Sequence, residues 1–253
     1  MTPLLLTTIL QIVVGLAAPL LLARFTHRRW AVPYALLAPG VIVALVVQIA
    51  GVLLGALLGG GAALLAASSG SGGAPSFVFV GVLGLLSGFL IAGALAAALV
   101  WLAPGAATVP QMAMIGVGYG GAEVMLRAVL AALLLIANLR LIETPPARWN
   151  LPPEEVAARQ ADLDAYFARD PVEPLLEAGV ALARLALGLA LTLLVGRMFL
   201  TGEVGWFFGA ALWGAVATAG QALFSRGGLF PSAVWWAFAG AVSLIILFWR
   251  GGK

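Results

Sequence analysis

Gln111–Ile142, QMAMIGVGYGGAEVMLRAVLAALLLIANLRLI, decides the fold class. A bilayer's hydrocarbon core takes about 20 apolar residues as a helix, and this stretch supplies them with some to spare. Between Gln111 and Leu139 only Glu123 and Arg127 are charged. Either ion costs roughly 2.5–3.5 kcal/mol at a bilayer centre. The pair therefore neutralises itself within one helix or serves a polar intramembrane site.

Composition extends the same reading outward. Hydrophobic residues fill 63% of the 253 positions and charged residues 9%, against about 25% charged in soluble domains. Mean hydropathy is +1.11. The expectation is an all-α, polytopic transmembrane helix bundle of about seven spans, forming one membrane domain over 1–253. The spans fall at about 4–23, 31–58, 77–102, 112–138, 176–199, 205–224 and 231–249. With no cysteine, disulfides and thiolate metal sites are excluded. His27 is the single histidine, and its place among arginines reads as topological charge in a short loop. The net charge is +3 and Lys253 is the only lysine, so no basic patch points to nucleic acid. The partners implied are the lipid bilayer, another membrane protein or a second copy of the chain.

The segment before Ala23 lacks a basic n-region and its apolar run exceeds a signal-peptide h-region. It reads as an uncleaved first span. Basic residues favour the cytoplasmic side, which places the Arg24–Trp30 loop in the cytoplasm and the N-terminus outside, in a multi-pass cell-membrane protein. Seven spans then put Arg250 and Lys253 inside. Arg140, Arg148, Arg159 and Arg169 in the outer linker pull the other way. Residues 59–76, rich in Gly and Ser, read as a flexible external loop. Within the linker of about 143–175, residues 154–170 follow a Pro-Pro start and place Val156, Leu163 and Phe167 near one face. An amphipathic helix on the membrane interface is expected, with Glu155 and Arg159 as an i,i+4 pair.

Tyr119, Glu123 and Arg127, spaced i, i+4 and i+8, share a helix face, and the surrounding glycines admit close helix approach. Arg184, with Glu177 two turns earlier, either snorkels or pairs with Glu123 across helices, snorkelling being favoured. These four residues form the candidate polar intramembrane site, Glu123 being the candidate catalytic group. Gln11, Gln48, Asn138, Thr192, Thr218 and Gln221 read as interhelical hydrogen-bonding groups. Gly51, Gly55 and Gly59 make a tandem GxxxG packing face. Trp206, Trp213, Trp235, Trp236 and Trp249 read mostly as interfacial aromatics.

Gly118-Tyr-Gly-Gly-Ala-Glu123, continuing to Asn138-Leu139, resembles the Gly-His-Gly-Gly-x-Glu segment of the YhfC family of predicted intramembrane metalloproteases, relatives of the CPBP and PrsW-like proteases. The early basic loop with Trp30, the Gln48-bearing second span and the charged linker before three last spans are similar too. Gly188 to Val195 looks like the family's His-x-x-x-Ser-x-x-Val helix. The resemblance implies a zinc protease scaffold. It also exposes departures: the family's paired glutamates would fall in Ser87–Ala97, which has no acid. Its histidines would fall at Tyr119, Gly188 and about Gly214, and a later acid near Thr218. Only Glu123 matches.

A catalytic zinc needs about three protein ligands, which membrane depth does not supply here. The expectation is a catalytically inactive relative, without metal or other cofactor, binding a membrane protein or lipid through the polar site. An active metalloprotease holding zinc is the alternative, and a small proton- or cation-coupled transporter the second.

Overall fold

The computed structural model describes residues 2–69, 77–106, 108–149 and 152–248. Eight α-helices succeed one another: α1 (Thr2–Trp30), α2 (Leu37–Ser69), α3 (Phe77–Ala97), α4 (Val109–Glu143), α5 (Pro153–Phe167), α6 (Val172–Thr201), α7 (Gly205–Phe224) and α8 (Leu229–Phe248). All but α5 are long and apolar enough to cross a membrane, which marks a multi-pass membrane protein. No strand occurs among the described residues. Lipid offers backbone groups no hydrogen bonds, and a helix satisfies them internally.

α6 is the axis of the bundle. Its most apolar window is 67% buried, against 11% to 39% for the other spans, and α1, α4, α7 and α8 pack on it. α2 lies against α4, and α3 against α7. Down the antiparallel α4–α6 seam, Met112 meets Gly196, Gly116 meets Thr192, Gly120 meets Gly188, and Glu123 meets Arg184. A Cβ on Gly188 would stand 2.7 Å from the Gly120 Cα, so the two backbones nearly touch. Gly121 serves another face, where a Cβ would come within 2.9 Å of the Pro19 ring on α1. Gly118 abuts the Leu37 carbonyl at the start of α2. Successive α4 glycines therefore admit three different helices.

Several expectations need correction. Residues 59–69, read as loop, continue α2. Ala62, Ala63, Leu64, Leu65, Ala66 and Ala67 are strong helix formers, and extending an existing helix is far cheaper than nucleating one. The rest of that stretch, 70–76, lies outside the described residues. The Arg24–Trp30 segment is the last turns of α1, not a loop, where cations suit the helix C-terminus. His27 there donates Nδ1–H to the Val32 carbonyl (2.8 Å) and stacks on Tyr34 at 4.3 Å, closing the turn to α2. Ala31, at φ 53°, reverses the chain.

Gly51 faces open space, so none of the other described helices packs on it. The surroundings of Gly55 and Gly59 lie outside the described residues. Thr192 and Thr218 bond the Gly188 and Gly214 carbonyls of their own helices (2.8 and 2.9 Å) instead of a neighbour, the usual local competitor for a helical threonine. Gln11 does bridge helices, donating to Glu177 on α6. Trp213 and Trp235 donate inward, to Ser243 Oγ (3.1 Å) and the Ala217 carbonyl (3.2 Å), and Trp236 is buried. These three tie α6, α7 and α8 together, while Trp249 lies outside the described residues. In α5, Leu163 is buried and Val156 and Phe167 are half-buried, as the spacing predicts. The Glu155–Arg159 ion pair is not among those formed by the described residues.

Candidate functional site

α4, α6 and the first turn of α8 border a cavity of about 460 Å³, closed further by α1 and by Tyr166 and Arg169 from the α5 end. That volume lies within the range of small-ligand sites. Its walls are apolar, from Val124, Ala128, Leu130 and Leu134 on α4 and Val180 and Ala181 on α6. Arg127, Arg184, Arg169 and Glu177 reach it, and with Glu123 and Glu173, which lie behind its lining, they form two ion-paired sets.

The inner set is Glu123, Arg127 and Arg184. Glu123 Oε1 accepts from Arg127 Nη2 at 3.1 Å and Nε at 3.2 Å, and from Arg184 Nη1. Arg184 is 8% exposed, and its guanidinium lies 4.4 Å from the Trp236 ring centroid. A weakly hydrated planar cation is well suited to such stacking. Two guanidiniums on one carboxylate leave a formal charge of +1 at the cavity floor. Among the described residues, Arg184 Nε and Trp236 Nε1 are buried without a partner.

The outer set is Arg169, Glu173 and Glu177. Arg169 donates to Glu173 (2.8 Å) and Glu177 (3.3 Å), and its guanidinium sits 5.9 Å from the Tyr166 ring centroid. One guanidinium between two carboxylates leaves a formal −1. Burial works to lower the Arg169 pKa, but the two carboxylates outweigh it and hold the group above its ordinary range, so it remains a cation. Burial raises the Tyr166 phenol, which stays neutral. Gln11 joins the set through its 2.5 Å bond to Glu177 Oε2.

The structure thus brings Glu123, Arg127 and Arg184 together, with Arg184 paired across helices instead of snorkelling away. Tyr119, like Glu123, is not among the residues lining this cavity; its ring lies against Gly188 and packs on the core cluster that includes Val43, Leu95 and Leu191. Each i+4 step turns the face by 40°, which takes Tyr119 off the side that Arg127 occupies. The outer set carried its own signal, since Arg169, Glu173 and Glu177 repeat the i, i+4, i+8 spacing. Ser232 and the α8 N-terminus carried none.

The residues around Glu123 do not fit a zinc ion. Its Oε1 is already shared by two cations, which would repel a third, and among the described residues no three His, Asp or Glu converge. No protein-family model, no curated protein and no solved structure matches this chain.

Proposed function

We propose that this integral membrane protein is non-catalytic and binds a membrane lipid or membrane protein through the cavity over α6. The observation that carries the reading is the Arg127–Glu123–Arg184 set: a carboxylate shared by two guanidiniums, one of them almost wholly buried. An uncompensated cation in low dielectric is costly, and a polar group from the bilayer or a partner offsets that cost. Glu123 Oε1 already accepts from both guanidiniums, the role of a counter-ion.

The resemblance to the YhfC-type scaffold agrees with a lost metal centre. Tyr119 and Gly188, two positions where that resemblance would put histidines, lie side by side, and Gly214 lies against Gly88 and Leu191. With glycine at 188 and 214, helices close over the space such ligands would need.

Native mass spectrometry of protein extracted in mild detergent tests the reading. A bound bilayer component near one per chain is expected, and it should weaken in Arg127→Gln. A chain that carries nothing from the membrane, or one zinc per chain in protein purified without chelator or tag, would overturn it.

A further inference from the structure

The chain's surplus charge is gathered at one end of α1. Setting Arg24, Arg28 and Arg29 aside from the 13 lysines and arginines leaves ten, which the 10 acids balance. All three are exposed, and none joins an ion pair among the described residues. With Leu21 and Phe25 they line a shallow groove of about 410 Å³. We infer that this groove holds the phosphate of an anionic phospholipid against the three arginines, with an acyl chain running down α1 over Leu21. The site stands apart from the cavity over α6, to which α1 gives Thr8, Gln11 and Gly15, and it does not rest on the binding reading above.

The order of residues along α1 is the first argument. Leu4 to Ala23 carries no charge and is about as long as the hydrocarbon core is thick, so Arg24 opens the interfacial layer. Phe25 and Trp30, both exposed, meet edge to face with ring centroids 5.6 Å apart, as aromatics at a membrane interface do. Leu21, Arg24, Phe25 and Arg28 share one helix face at i, i+3, i+4 and i+7. On that face Leu21 lies one turn deeper than Arg24, and Arg28 one turn farther out. Apolar contact therefore sits inside the charge, the order in which a phospholipid presents its acyl chain and its phosphate. Leu10, exposed three turns deeper on the same face, continues the track. His27 turns the other way, to the Val32 carbonyl and the Tyr34 ring.

Charge selects the headgroup. Guanidinium N–H pairs match phosphate oxygens, and three of them face one groove. The ammonium of a zwitterionic lipid would meet those cations and no free carboxylate. Met1–Ala122 contains no Asp or Glu, and Glu203, the acid between α6 and α7 at this end of the bundle, accepts from Trp206 Nε1. A glycerol headgroup brings the phosphate charge without an ammonium. The source is a lipid rather than a free phosphate ester, because Leu21 and Phe25 give the groove an apolar wall at hydrocarbon depth.

The test uses the full chain, delipidated and then offered equimolar phosphatidylglycerol and phosphatidylethanolamine with identical acyl chains, read by native mass spectrometry. A separate arm offers soluble glycerol 3-phosphate. An arginine beside anionic lipid is worth about fivefold in affinity, so the glycerol lipid should be retained roughly tenfold or more over the ethanolamine lipid. Arg24→Gln should cut that ratio about fivefold, and adding Arg28→Gln should bring it toward one. Arg24→Lys, which keeps the charge, should hold most of it. These side chains are exposed, so the tryptophan-monitored melt should not move. Equal retention by folded wild-type protein, or a preference for the ethanolamine lipid, overturns the proposal. So does a preference that survives the double variant and falls in Arg127→Gln, which assigns it to the cavity. Binding of glycerol 3-phosphate as tight as that of the lipid overturns the bilayer source.

Discussion

Glu123→Gln keeps the length and shape of the side chain while removing the charge that Arg184 pairs with. Arg184 is only 8% exposed, whereas Arg127 is 56% exposed, and this difference sets the expected magnitudes. Stripping one partner from a buried ion pair costs about 3–5 kcal/mol. Glu123 itself is 30% exposed, which favours the lower end, about 3 kcal/mol. Arg127→Gln removes a half-exposed i,i+4 contact worth about 0.3–0.5 kcal/mol. For a chain of this size roughly 2–4 °C of melting temperature accompanies each kcal/mol.

Thermal unfolding in detergent, followed by tryptophan emission, should therefore drop by roughly 6–12 °C for Glu123→Gln and by about 1–2 °C for Arg127→Gln. Adding Arg184→Gln to Glu123→Gln removes the orphaned cation and should recover part of the loss. The double-mutant cycle isolates that coupling. Equal melts for Glu123→Gln and Arg127→Gln, or a double mutant no better than additive, would refute Arg184 as the principal partner. The spacing alone favours Arg127, so the experiment separates what the sequence proposes from what the packing dictates.

The same melt checks three further expectations. Gly188→Ala places a Cβ 2.7 Å from backbone Cα of Gly120, and should cost about 1–3 kcal/mol as α4 and α6 are forced apart; Gly51→Ala, in open space, should be neutral or stabilising by up to about 1 kcal/mol. A milder Gly188→Ala than Gly51→Ala would contradict the seam. Trp213→Phe loses the bond to buried Ser243 and should cost about 1 kcal/mol or more, so a wild-type melt would show that α7 and α8 do not depend on it. Thr192→Val removes a hydroxyl bonded only within its own helix and should cost about 1 kcal/mol or less, despite complete burial. A larger loss would point to a partner across helices.

The spans were readable because lipid enforces them: a run of apolar residues long enough to cross must be helical, and linker prolines mark where α5 begins. Partner choice was not. Arg184 stands 61 positions from Glu123, and no local spacing links them. The loop expected at 59–69 failed because glycine content was weighed above the helix-forming Ala and Leu between the glycines. Thr192 and Thr218 were misassigned because a carbonyl four residues back is always within reach, whereas a neighbouring helix has to arrive.

The glycine run around Tyr119 shows the division most sharply. Its composition announces close approach, yet composition has no way to allot Gly118 to α2, Gly120 to α6 and Gly121 to α1. Steps of 100° per residue distribute those small positions among three faces, and three helices close in around the turn just before Glu123, α2 and α6 by their backbones and α1 by the Pro19 ring. One turn on, Glu123 and Arg127 meet Arg184 of α6 beside the cavity that α1 and the first turn of α8 also line. The glycines that look like weak points in a membrane helix are thus what brings α6 close enough for Arg184 to reach Glu123.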